Sequence, residues 1–319
     1  FSHVFQTDAS NTGWGIACIT DRAQQTSGIW SQDQTALHIN VRELYVVFIC
    51  LKTFCKDRQD CHLKFELDNM TAVTYINQMG GSNSYDCDAL ARKIWAWCIP
   101  KNIWLSAVHI PGTSNVLADS LSRRYSEHEW MLNKHYFSII CDIFPNLSID
   151  LFASILNNQL PRYVSWKPDP NATYVDAFNI SWEHEYFYAF PPFSLIHKCL
   201  EKIVVENAEG VLIVPVWASQ TWYTRVLQLL VAQPRLMIWT STRELLIHPL
   251  GKVHSMAGKL KLMVCPLSGD STKNKAFQNT LPQFSLTHGV HLHANSTRSI
   301  SRDGLYSVVR GRLIHIPPL

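Results

Sequence analysis

Four carboxylates could carry chemistry in this sequence: Asp8, Glu43, Asp68 and Asp119. Taken singly, each has an ordinary explanation. Asp8 sits beside a hairpin turn, Glu43 in the first turn of a helix, Asp68 at a strand end, and Asp119 one turn into a helix. Their places in the order of elements give them a joint meaning. Carboxylates are hard oxygen donors suited to Mg²⁺. Two such ions clamp an in-line displacement at phosphorus. Four acids meeting at one end of a mixed sheet would hold that pair.

The elements that must position them follow from local pattern. Val4 and Phe5 are β-formers, and Trp14, Ile16 and Cys18 alternate with small residues in the period of a half-buried strand. Asn11-Thr12-Gly13 between them has hairpin-turn chemistry. Residues 27–30 suggest a third strand. Asn40 is placed to cap a helix to about Cys55, with Val41, Leu44, Tyr45, Phe48 and Leu51 at helical spacing. Residues 62–68 alternate as a strand ending at Asp68, and Asn69 then caps a helix to about Gln78. A further helix over 87–97, a strand over 103–110 and a helix capped by Asn115 complete the order βββαβααβα. Ala118, beside Asp119, is small enough to let that last helix approach a sheet closely.

Thr7-Asp8-Ala9-Ser10…Gly13-Trp14-Gly15, Asn40-Val41-Arg42-Glu43-Leu44, Asp68-Asn69-Met70-Thr71 and His109-Ile110-Pro111-Gly112…Asn115-Val116-Leu117-Ala118-Asp119-Ser120-Leu121-Ser122-Arg123 resemble the ribonuclease H domain of retroelement polymerases. With Tyr75-Ile76-Asn77 and Gly80-Gly81, the set is closest to DIRS-like tyrosine-recombinase retrotransposons. The resemblance implies a ribonuclease H-like, mixed five-stranded α/β sheet over residues 1–125. It implies a metal-dependent endonuclease that cuts the RNA strand of RNA–DNA hybrids. Asp8, Glu43, Asp68 and Asp119 would be both catalytic residues and metal ligands for two Mg²⁺ ions, with Mn²⁺ able to substitute. Asp8 would bridge the ions, Asp119 would complete the one that activates water, and Glu43 and Asp68 would hold the one at the leaving oxygen. Ser10, Asn11, Gly13, Asn69 and Thr71 would face the nucleic acid. Many members carry a His in the loop before the final Asp, but residues 111–118 hold none, and His109 is not assigned that role.

Residues 126–250 read as a second α/β domain. A capping-box pattern at Ser126–Glu129 opens a helix to about Phe144. Near-continuous apolar strands such as Val211–Trp217 then alternate with helices, as in a parallel sheet buried on both faces. Over about 145–235 the stretches around Asp150, Asp176 and Pro191-Pro192-Phe193 resemble phage-type DNA adenine-N6 methyltransferases, which are Rossmann-like. That family places an Asp or Asn before Pro-Pro to accept from the adenine amino group; here Phe190 stands there. No glycine-rich loop for a methyl donor is evident. The expectation is a degenerate, inactive domain, with no S-adenosylmethionine as cofactor and base stacking as its residual capacity.

Composition bounds the rest. A chain of 319 residues, 47% hydrophobic, suggests about two domains with real cores. The net charge of +3 hides a gradient: 11 basic and 11 acidic residues over 1–125, 8 and 12 over 126–250, and 9 and 2 over 251–319. The last segment therefore reads as a basic, poorly structured tail or linker. Nine scattered Cys without a CxxC pair argue against a zinc site or a disulfide framework and suit an intracellular setting, cytoplasmic or nuclear, rather than a secreted one. No apolar run reaches membrane length. With neither an initiator Met nor a signal peptide, the chain is expected to be part of a polyprotein, with an upstream reverse transcriptase and a downstream recombinase as partners. The rival reading is a non-catalytic nucleic-acid-binding or connection module of a decayed element.

Overall fold

The computed structural model describes residues 1–123, 129–239, 244–283 and 306–319. Two compact units divide the chain: Phe1–Glu127 together with Lys167–Ala172, and His128–Trp166 together with Thr173–Leu319.

In the first unit, β1 (His3–Ala9), β2 (Gly13–Cys18) and β3 (Gln25–Ile29) form an antiparallel meander. β4 (Cys61–Leu67) pairs parallel with β1, and β5 (Ile103–His109) parallel with β4. The sheet order is β3-β2-β1-β4-β5. The helices are α1 (Gln32–Thr35), α2 (Ile39–Phe54), α3 (Met70–Asn77), α4 (Tyr85–Cys98) and α5 (Val116–Ser122). Phe5, Leu44, Leu51, Phe65, Ile76 and Ile94 anchor one core. The short segment Lys167–Ala172 joins this unit: the Thr26 hydroxyl donates to Pro168 O (2.6 Å), and Lys52 Nζ to Asn171 Oδ1 (3.3 Å). A boundary at residue 125 alone misses that return of the chain.

Two of the expected helix caps differ. His38, not Asn40, caps α2, its Nδ1 accepting from Asn40 N (3.2 Å), while Asn40 Oδ1 accepts from Asn69 Nδ2 (2.9 Å) and ties the starts of α2 and α3 together. Asn115 makes no side-chain cap to α5; fully buried, it donates from Nδ2 to Thr7 O on β1 (2.9 Å). A buried strand carbonyl is costlier to leave unpaired than a helix end near water. Asn69 does cap α3, through Ala72 N (3.0 Å). At the outer edge of β5, Asn77 donates to Ala107 O and accepts from Ala107 N, both at 2.8 Å.

The second unit comprises β6 (Met131–Leu132), α6 (Lys134–Ile143), β7 (Ile149–Asp150), β8 (Val164–Ser165), β9 (Tyr174–Val175), β10 (Tyr186–Ala189), α7 (Ile196–Val205), β11 (Glu209–Pro215), α8 (Tyr223–Leu229), β12 (Arg235–Ile238), β13 (Leu246–Ile247), β14 (Lys261–Ser268), α9 (Ser271–Thr280), β15 (Tyr306–Val309) and β16 (Arg312–His315). Most of the expected capping box at Ser126–Glu129 lies outside the described residues, and the helix observed there is the shorter α6. The main sheet runs β12-β14-β11-β10-β7. β7, β10 and β11 are parallel, but β14 is antiparallel to both its neighbours, so the sheet is mixed rather than wholly parallel.

That strand also overturns the reading of 251–319 as a tail. Leu262–Leu267 is buried throughout and fills the sheet between β11 and β12, α9 follows, and β15–β16 close a hairpin; residues 284–305 lie outside the described set. The polar flanks dilute the segment's average composition. Pro266 also reads as a strand breaker, because it lacks an N–H. In the sheet its carbonyl is used instead, by Val231 N (3.0 Å).

Packing of α5 on β2 depends on Gly15. A Cβ there would lie 2.2 Å from Ala118 O and 2.6 Å from Ser122 N. Gly15→Ala is therefore expected to push α5 off the sheet and to destabilise the unit by about 1–3 kcal/mol, read by denaturant unfolding. An unchanged midpoint would refute this packing.

Candidate metal centre

β1 and β4 end side by side. Their last paired residues are Gln6 and Glu66, and two positions on along each strand stand Asp8 and Asp68. Parallel strands lie about 4.8 Å apart, so the two acids meet at the carboxyl ends, where α/β sheets commonly place their sites. Glu43 arrives from the second turn of α2, and its Oε1 accepts from Ala9 N (3.3 Å). Each of the three offers an oxygen within 4.8 Å of the other two.

Two of the three acids are buried and Asp68 is half-buried, an arrangement that is electrostatically unfavourable by itself. Asp8 and Glu43 are only 5% and 4% exposed. Burial, and then the charges of Asp8 and Asp68, push the Glu43 carboxyl up to about 9. Burial also raises Asp8, with Asp68 and Asp119 adding to it and Ser122 and Arg123 opposing. Asp8 Oδ2 and Glu43 Oε2 are buried without any hydrogen-bond partner. Buried acceptors without donors are uncommon, and a cation is one group that would satisfy them. An all-oxygen set of this charge fits a hard divalent cation.

Asp119 is not in that group. Its Oδ1 accepts from Arg123 Nη2 (2.6 Å) and Nε (2.9 Å), although its charge reaches Asp8. Three of the four expected ligands are gathered, and the fourth stands beside them. His109 is exposed at the end of β5 and takes no part in the cluster.

The residues expected to face nucleic acid divide. Asn11 is exposed, and Asn69 and Thr71 are partly so. Ser10 and Gly13 are buried and serve the fold. Ser10 Oγ donates to Ser122 O (2.8 Å) and accepts from Gly13 N (3.0 Å). A Cβ on Gly13 would strike Gly28 O at 2.5 Å and Ser122 O at 2.8 Å.

Arg42, within the motif around Glu43, has a role that the sequence does not indicate. Nearly buried, it donates from Nη1 to Ser10 O and Asn11 O (both 3.1 Å), while Trp30 Nε1 also donates to Ser10 O (3.0 Å). Adjacent residues of α2 thus hold the turn after Asp8: Arg42 by its carbonyls, Glu43 by an amide. No sequence signal distinguishes such an arginine from a solvated one. Arg123 was findable, since it stands four residues after Asp119 on a helix.

In the second unit the singled-out stretches lie at the carboxyl ends of β7, β9 and β10. Asp150 is buried and raised to about 7 by that burial, with Oδ1 accepting from Phe152 N (3.3 Å) and Oδ2 from Gln159 N (3.0 Å). Asp176, at φ +62°, accepts from Phe178 N (3.0 Å). Pro191 is buried and Pro192 exposed, and Phe193 packs edge-on against Trp217 at 5.1 Å and lies 6.3 Å from Phe190.

No family model matches the sequence, and no curated protein matches it. Among solved structures it is similar to the RNase H1 of the halophilic archaeon Halobacterium salinarum NRC-1, at 15% identity over 38% of this chain and 93% of that one, TM-score 0.30. It is similar to LC11-RNase H1 in complex with an RNA/DNA hybrid, at 20% identity over 38% and 93%, TM-score 0.32. It is also similar to an N-terminal RNase H domain from Mycobacterium tuberculosis fused to maltose-binding protein, at 17% identity over 38% and 95%, TM-score 0.29.

Proposed function

We propose that the first unit is a metal-dependent ribonuclease that hydrolyses the RNA strand of RNA–DNA hybrids. The observation that carries this reading is the triad of buried Asp8 and Glu43 with half-buried Asp68, which has two orphaned carboxylate oxygens, one on each buried acid. Asp8, Glu43 and Asp68, joined by Asp119, would hold two Mg²⁺ ions, or Mn²⁺ in their place. Bound there, the cations supply Lewis acidity and lower the pKa of water. The protein's own part is to hold the acids in register. α2 carries Glu43 to Ala9, β1 and β4 align Asp8 with Asp68, and Ser10 and Gly13 shape the turn that presents Asn11. Asn11, Asn69 and Thr71 are the accessible polar groups we assign to the hybrid.

We read the second unit as methyltransferase-like and inactive in methyl transfer. Phe190 offers no acceptor to an adenine amino group, and both oxygens of Asp150 are taken by backbone amides. The whole fits an intracellular retroelement polyprotein of DIRS-like type, working with a reverse transcriptase and a recombinase. Among the described residues no helix is long and apolar enough to cross a membrane, and all nine cysteines are unpaired. Calorimetry with S-adenosylmethionine is expected to give no binding heat; saturable binding would restore the transferase reading.

With a strand-labelled RNA–DNA hybrid and Mg²⁺, the full chain is expected to cut RNA only. Asp8→Asn and Asp68→Asn should each lower the rate at least about a hundredfold, the scale of losing a group that stabilises developing charge. A folded protein that binds the hybrid without cutting it in Mg²⁺ or Mn²⁺ would instead support the non-catalytic binding module.

Glu43 adds a pH dependence. Its folded value, about 9, exceeds the ordinary 4.5, so between these pH values the folded state binds more protons than the unfolded state. Stability contributed by this group is therefore complete at acid pH and lost as pH rises through that window. In EDTA, the melting temperature should fall from about pH 5 to about pH 9, and fall less in Glu43→Gln. Mg²⁺ should offset the loss at the alkaline end by replacing the proton. Parallel pH profiles for the two proteins would contradict this.

A further inference from the structure

Of the four acids, Asp119 alone stands apart, and a cation of this chain holds it there. Arg123 lies one helical turn on and engages Asp119 Oδ1 with both Nη2 (2.6 Å) and Nε (2.9 Å). A surface pair of this spacing ordinarily does no more than steady a helix slightly. Three features give this one a further consequence. The backbone around it is fixed, because Ala118 is locked against Gly15 and Ser122 O accepts from Ser10 Oγ at 2.8 Å. Only the side chains of residues 119 and 123 can then answer a new charge. Arg123's charge also acts on the Asp8 carboxyl, lowering it against the effect of burial. Finally, the side chains are 41% and 65% exposed, so the guanidinium can leave without disturbing the core.

We propose that Arg123 is a positioning residue that governs the weaker of two divalent-cation sites. It holds the Asp119 carboxylate as a resident counter-cation and yields it when an ion binds between Asp119 and Asp8. The inference rests on the reading of the first unit as a metal-dependent nuclease. A carboxylate engaged at one oxygen by a forked guanidinium is geometrically committed. A hard cation on the same carboxylate must either displace the guanidinium from Oδ1 or take Oδ2 against its like charge. The two are therefore competitors, and the apparent affinity of the second site is the intrinsic one reduced by the fraction of Asp119 held by Arg123.

The test is Mn²⁺ calorimetry on the full chain and on Arg123→Gln, Arg123→Lys, Asp119→Asn and the Arg123→Gln/Asp119→Asn pair, each checked for folding by thermal unfolding in EDTA. Two binding events are expected in the parent chain. Arg123→Gln should tighten the weaker event roughly fivefold, the scale of removing one charge at contact distance in a solvated site, and leave the tighter event alone. Arg123→Lys, which keeps the charge, should bind close to the parent. Asp119→Asn should abolish the weaker event, and adding Arg123→Gln to it should then change nothing. A weaker event shifted less than about twofold by Arg123→Gln would reduce the pair to a helix-surface contact and overturn the proposal. Loss of that event in Arg123→Gln would overturn it too, by making Arg123 a supporter of the site and not a competitor. Failure of this inference and failure of the nuclease reading differ in readout. Hybrid cleavage with no effect of Arg123→Gln on Mn²⁺ binding sinks only the inference, whereas no Mn²⁺ binding at all sinks both.

Discussion

Parallel pairing of β1 with β4 is the constraint from which the rest of the first unit follows. It sets two aspartates one strand spacing apart, and α2 then brings a buried glutamate against both. Carboxylates this close in a poorly hydrated place repel, and Ala9 N, Arg42, Ser122 and Arg123 offset only part of that. The rest is held by a sheet that cannot slip by one residue without exposing its core, and by a turn tied down by Arg42 and Trp30. Free of cations, the site keeps protons that ordinary carboxylates would have lost. The strain is thus stored as electrostatics in a rigid frame, where a divalent ion can relieve it without any movement of the backbone.

The four acids were legible because each follows a simple local rule, and because alternation and helical spacing fix the order of elements around them. What sequence could not show is which small polar residues turn inward. Ser10, Gly13 and Asn115 all have the composition of exposed turns, yet each completes a contact with a distant strand or helix. The rule that assigns Asn to helix starts is local, whereas the demand of the Thr7 carbonyl is tertiary, and the tertiary demand prevails. For the same reason Asp119's partner outweighs its membership of the set: a cation four residues away on the same helix is closer at hand than acids on other elements.

The second unit shows the opposite balance. Its apolar strands were evident, but the strand between β11 and β12 comes from a segment whose polar flanks conceal it, and a proline interrupts its donor pattern. Average composition over tens of residues is a poor guide to seven that are buried. The carboxyl ends of β10 and β11 carry an aromatic group, Phe190, Phe193 and Trp217.

Asn77 has a consequence of a different kind. A carboxamide has the shape of one peptide unit, and this one meets both polar groups of Ala107 as a neighbouring strand would. The outer margin of the sheet is therefore closed, over that residue, by a fragment of strand one unit long. Exposed strand margins are templates on which other chains add. A single amide here occupies both groups that an incoming strand would pair with at that position.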